Sequence, residues 1–215
     1  MARVLVLFDG APVDEGGPPE LLPLAHAVVR GASATGCTAD LLGLAADGAA
    51  AEALARADVR ALPSDEAELA ALVAAADAVV LGGAAALGTL ASSVAAALGR
   101  LAALPPADSG AGPLSGKVGA AFACIAAAAP APLGGHETAL ASVHTQMLHC
   151  GMLVAGAAAV PGAELAALSA GSPLGVCMCP GEKDQACRAA ERQGQHVADI
   201  AARLQLAGVV SQLRS

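Results

Sequence analysis

The chain has neither tryptophan nor tyrosine, and Phe8 and Phe122 are its only aromatic residues. A core built without larger rings must be filled by small and branched aliphatic side chains, and a planar ligand finds no indole or phenol to stack on. Basic charge is scarce too: 11 Lys and Arg stand against 19 Asp and Glu, a formal net charge of -8. Nucleic-acid binding relies on clustered cations, so this deficit argues against a phosphate-backbone partner, and it disfavours anionic membranes. A true membrane span is missing as well. Residues 78–98, AVVLGGAAALGTLASSVAAAL, carry no charge, but Gly82-Gly83 closes a β-branched start and Ala, Ser and Gly dominate the rest. A strand, a turn and a helix are expected there instead. Met1-Ala2-Arg3 precedes only a short apolar run without a cleavage site, so a cytoplasmic setting is expected. The cysteines Cys37, Cys124, Cys150, Cys177, Cys179 and Cys187 lack the spacing of a secreted disulfide framework, and reduced thiols are expected.

What the chain does have is apolar surface: 56% of its 215 residues are hydrophobic, enough for one α/β domain over residues 1–215 without a staple. Apolar runs of strand length occur at 3–8 (RVLVLF), 37–44, 77–83, 117–125 (KVGAAFACI) and 152–160 (MLVAGAAAV). Helical patterns fall between and after them, near 22–34, 65–75, 89–104, 137–149 and 183–206. Runs that are apolar at nearly every position suit strands covered on both faces, and parallel strands need helical crossovers. The first helix puts Leu22, Ala25, Val28, Val29 and Ala32 on one face, and the last puts Ala189, Gln193, Val197, Ile200 and Leu204 at similar spacing. Turn chemistry marks PSDE at 63–66, PPADSGAGP at 105–113 and APAPLGG at 129–135. The long connection at 161–182 is of the kind that carries a site or an interface.

An ordered set of marks then resembles one family. The marks are RVLVLF; AADAVVLGG leading to Leu87-Gly88; LSGKVGAAF at 114–122; GGHET at 134–138; LHCGM at 148–152; GSPLG at 171–175; and RQGQHVADIAARL at 192–204. In this order they resemble the WrbA-type NAD(P)H:quinone oxidoreductases. The resemblance implies a flavodoxin-like three-layer sandwich: a five-stranded parallel sheet with helices on both faces, assembled as a homo-oligomer.

In such folds the ligand lies beyond the carboxyl ends of the strands. The resemblance therefore implies three FMN loops: 9–19 for the phosphate, 84–90 for the ring and 124–136 for ring and ribityl chain. The corresponding cofactor-binding candidates are Gly10 in the first loop, Ala84, Leu87, Gly88 and Thr89 in the second, and Cys124, Gly135 and His136 in the third. Cys150 joins them, because it replaces the second of two histidines that the family commonly carries before Gly-Met. The loop chemistry pulls the other way. In DGAPVDEGGPPELLP, Pro12, Pro18, Pro19 and Pro23 offer no N–H, and Asp9, Asp14, Glu15 and Glu20 oppose a phosphate dianion. Alternatively, Pro18 or Pro19 starts the helix and the acids complement its dipole. The ring loop is alanine-rich, and CIAAAAPAPLGG puts methyl groups where hydroxyls are expected.

Two functional readings follow. In the first, the chain is a pseudoenzyme: no cofactor, no catalytic residue and no metal, with protein partners in a larger assembly that could be cytoskeletal or ciliary. In the alternative, it is an FMN-dependent NAD(P)H:quinone oxidoreductase whose missing contacts come from a neighbouring subunit or from backbone groups. A minor third reading gives Cys150 or Cys177/Cys179 a redox role, which requires thiols of lowered pKa. His149, next to Gly151, reads as the end of a helix with a left-handed cap.

Overall fold

The computed structural model describes residues 1–10, 21–45, 48–106, 110–125, 135–158, 171–179 and 182–214. Its elements run β1 (Arg3–Asp9), α1 (Leu21–Ala34), β2 (Thr38–Leu44), α2 (Gly48–Arg56), β3 (Arg60–Ala61), α3 (Glu66–Ala75), β4 (Ala78–Ala86), β5 (Thr89–Leu90), α4 (Ser92–Ala102), β6 (Val118–Ile125), α5 (His136–His149), β7 (Leu153–Val154), β8 (Gly171–Ser172), β9 (Gly175–Met178) and α6 (Lys183–Arg214).

The spine of the sheet is β2-β1-β4-β6-β9, joined in parallel throughout. These strands pair where the sequence is apolar on both faces; β6, for example, is buried at every position. The expected count of five strands is too low. Among the described residues the sheet has nine, because the two-residue strands β3, β5, β7 and β8 extend it. The expected strand over 152–160 pairs only at Leu153–Val154, and the outer parallel position falls to β9, inside what reads as a connection. Helix α2 is unexpected, and the helix anticipated from residue 89 begins at Ser92 because Thr89–Leu90 folds back on β4. α6 continues to Arg214, beyond the anticipated 206.

Side chains alternate across the sheet and build two cores. On one face Val4, Val6, Phe8, Val80 and Phe122 meet α1 and α6. On the other, Leu5, Leu7, Val79 and Leu81 meet α3, α4 and α5. With almost no rings to fill space, the first core closes by bringing backbones together. A Cβ on Gly31 of α1 would stand 1.8 Å from the Glu191 carbonyl oxygen of α6, and one on Gly194 would stand 2.1 Å from that of Val28. Leu204, expected on the buried stripe of α6, is 41% exposed, whereas Gln193 is completely buried. PSDE, read from sequence as a turn, also caps α3, with Asp65 Oδ1 accepting from Glu68 N at 2.8 Å.

Among the described residues no helix is long and apolar enough to cross a membrane. Residues 78–98 form the strand, turn and helix expected of them.

Candidate functional site

The carboxyl ends of β1, β4 and β6 open at one edge of the sheet, and most of the anticipated site residues gather there. Gly10 directly follows β1, and its N–H donates to Leu44 O at 3.0 Å. β4 turns back into β5 through Leu87 and Gly88, both left-handed at φ 51° and 78°. Two successive positive φ values suit a tight hairpin, but leucine adopts that region only at a cost of about 1–2 kcal/mol. The turn leaves Leu87 fully exposed at its tip. Thr89 Oγ1 donates to Ala86 O at 3.1 Å and steadies the turn.

The hairpin tip meets the start of α5. A Cβ on Gly135, itself left-handed at φ 91°, would stand 3.2 Å from Gly88 N, and one on Gly88 would lie 3.6 Å from the Thr138 methyl. Both positions therefore favour glycine for conformation, and Gly135 for space as well, whereas a methyl group on Gly88 would meet only ordinary contact. Gly135 is the N-cap of α5 and makes no side-chain cap. In the first turn, His136 Nδ1 is withdrawn from water and has no hydrogen-bond partner among the described residues. A buried polar atom left in this state is costly unless a ligand completes it. Ala84 and Cys124 are register partners on β4 and β6 just below this junction. Thr138 was not singled out from sequence; its place within GGHET, three residues after the cap, was the available signal.

Cys150 does not join them. It caps the far end of α5, where Met152 N donates to Met147 O at 3.1 Å and Gly151 N to Leu148 O at 3.0 Å. With Gly151 at φ 74°, this is the left-handed cap expected beside His149. α5 has 14 residues, so at 1.5 Å per residue Cys150 sits about 20 Å from His136. Spacing along LHCGM cannot reveal that separation, because α5 runs antiparallel to β6. The phosphate-loop residues 11–20, most of the third loop (126–134) and most of the long connection (159–170 and 180–181) lie outside the described residues.

The three thiols considered for a redox role lack the lowered pKa that role requires. Cys177 is pushed up to about 12, chiefly by burial and then by Cys179, Cys124, Glu182 and Glu137. Burial also raises Cys150, and burial followed by Glu182 raises Cys179. None of the six cysteines is joined in a disulfide. No cluster of metal-binding side chains occurs among the described residues.

No family model matches the chain. A protein of Azorhizobium caulinodans named NAD(P)H dehydrogenase (quinone) is 33% identical over 220 residues, spanning 95% of this chain and 99% of that protein. A Chromohalobacter salexigens protein of the same name is 38% identical over 104 residues, covering 43% of this chain and 48% of the relative. Among solved structures, a WrbA-like flavodoxin from Agrobacterium tumefaciens superposes with a TM-score of 0.57 at 18% identity, covering 94% of this chain and 99% of that one. A flavodoxin from the domain Archaea gives 0.55 at 15%, covering 93% and 99%. The fold is flavodoxin-like.

These relatives overturn the reading of the chain as a non-catalytic docking subunit. The relative matched over nearly its whole length bears an enzyme's name, and none of those reported is named as a structural, cytoskeletal or ciliary protein. The docking expectation weighed the proline, acidic and missing hydroxyl groups of this loop, but Ala11, Val13, Gly16 and Gly17 keep backbone N–H groups, and amides at a helix start can hold a phosphate without hydroxyls.

Proposed function

The chain belongs to the WrbA-type flavodoxin-like family of NAD(P)H dehydrogenases (quinone), and from that membership we propose that it is an FMN-dependent NAD(P)H:quinone oxidoreductase. This reading replaces the expectation that no cofactor binds. The observation that carries it is the junction of Leu87-Gly88 with Gly135-His136 at the carboxyl edge of the sheet. Two glycines bring main chain close to main chain there, and beside them the His136 Nδ1 has no partner among the described residues.

The residues fit the ring end of a flavin. Gly88, Thr89 and Gly135 offer backbone groups at close range, His136 has an unmet hydrogen-bonding requirement, and Ala84 and Cys124 form the floor. When bound, FMN supplies the chemistry of accepting a hydride equivalent from NAD(P)H and passing two electrons to a quinone. The chain's own contribution is to hold and orient the ring and to keep water from its edge. Leu87, apolar and fully exposed at the rim, suits contact with an apolar acceptor such as a quinone. The proposal takes residues 1–215 as one domain working as a homo-oligomer in the cytoplasm, with neither nucleic acid nor membrane as partner, in keeping with its charge of -8.

Reconstitution tests it. Protein mixed with FMN and desalted should retain flavin absorbance at one equivalent per chain and oxidise NAD(P)H when a soluble benzoquinone is added. His136→Ala should weaken FMN binding about tenfold without changing the unfolding midpoint. A desalted protein with no retained flavin and no turnover would overturn the proposal.

A further inference from the structure

A second concavity lies on the face covered by α3, α4 and α5, apart from the junction just described. It has a volume of about 340 Å³ and is lined by Leu44 and Ala45 at the end of β2, Leu62 after β3, and Ser92, Ser93, Ala96, Ala97 and Arg100 of α4. None of Gly88, Gly135 and His136 lines it. Its size falls at the small end of the range for small-molecule sites, and its walls are mostly methyl and isobutyl groups.

The polar groups in that lining are of one kind. Ser93 Oγ is shut off from water and has no partner among the described residues. Rotation about χ1 to another staggered well would carry it toward the cavity that its residue lines. Arg100 donates one guanidinium N–H to Pro63 O at 3.0 Å. That bond tethers the fork, and its other N–H groups have no partner among the described residues. Arginine can only donate, and a serine hydroxyl can donate, so a complementary ligand must present acceptor oxygens at one end. The apolar walls call for a hydrophobic body at the other. With Arg100 the one cation in the lining among the described residues, on a molecule of charge -8, a monoanion is favoured over a phosphate dianion.

We infer that this cavity binds a small carboxylic acid with an apolar body, its carboxylate held by Arg100 and Ser93 and its body lying against Leu44, Leu62 and Ala97. The inference is independent of the flavin reading, since the two sites share no lining residue.

The absence of Trp and Tyr makes the test direct, because the protein has no indole or phenol emission to obscure a fluorescent probe. Fluorescence anisotropy of 2-naphthoate, titrated with the full chain with and without FMN, should show saturable binding. Octanoate as competitor distinguishes the sources: displacement assigns the site to aliphatic as well as aromatic acids, and no displacement assigns it to aromatic acids alone. Arg100→Gln should weaken 2-naphthoate about tenfold and leave the neutral 2-naphthalenemethanol unchanged. Ala96→Leu, which fills the cavity with a good helix former, should abolish binding of both while the far-ultraviolet circular dichroism stays native. Three results would overturn the inference: no saturable binding of 2-naphthoate, equal affinity in wild type and both variants, or competition by FMN, which would put the probe in the cofactor cleft.

Discussion

Gln193 does the work of a missing strand contact. Its side-chain amide donates to Ala121 O at 2.9 Å, and its carbonyl oxygen accepts from Val176 N at 3.4 Å, so one completely buried residue of α6 ties β6 to β9. Gln193→Leu keeps the volume but strands a buried N–H and a buried carbonyl. Stability should fall by about 2–3 kcal/mol, read from the urea midpoint. His144 is buried on α5 and its Nε2 has no partner among the described residues. Desolvation lowers its pKa below 6.5, so the unfolded chain takes up a proton first as the pH falls. The neutral form's contribution is complete above about pH 6.5 and is lost as the pH drops toward the depressed native value. Stability measured from pH 7.5 to 5 should therefore decline, and His144→Leu should flatten the decline. The burial of Gln193 was legible in the helical spacing of α6. The bonds it makes were not, because they depend on a strand that sequence did not reveal.

At the scale of elements, the α1–α6 seam is where the shortage of rings is felt. Gly31 and Gly194 each face a carbonyl oxygen of the opposite helix at a distance no methyl group can occupy. Gly31→Ala and Gly194→Ala should each cost about 2–3 kcal/mol by forcing the helices apart. Gly99→Ala on α4, where nothing stands within 4 Å, should instead stabilise by about 0.5–1 kcal/mol. Thermal unfolding of the three variants separates the cases. The long elements were readable: β1, β4 and β6 from uninterrupted apolar runs, α1 and α6 from periodicity. β9 was not, because GVCM is only four residues long and sits between turn formers, whereas MLVAGAAAV looked more like a strand than it proves to be. α2 escaped because GAAAEALAR is only nine residues long and five of them are alanine, although its amphipathic contrast is as strong as that of α1. Within the candidate site, the meeting of Gly88 with Gly135 could not be read from spacing, since it joins a hairpin to a helix far along the chain.

For the molecule as a whole, the excess of carboxylates sets the terms on which an anionic cofactor arrives. With a charge of -8, the protein's field repels the FMN phosphate at long range, and salt screens that repulsion. Affinity for FMN should therefore rise about two- to fivefold between roughly 20 and 200 mM NaCl, measured by flavin fluorescence titration. The opposite slope would mean that local cations govern the cleft. The seam between α1 and α6 has a different consequence, for biosynthesis. Its two halves lie far apart in the chain, α1 at Leu21–Ala34 and α6 at Lys183–Arg214, so during synthesis α1 keeps Val28 and Ala32 uncovered until α6 has emerged. Translation therefore exposes a sticky surface throughout the interval between the two helices, and a chaperone that shields such surfaces would be needed over that interval.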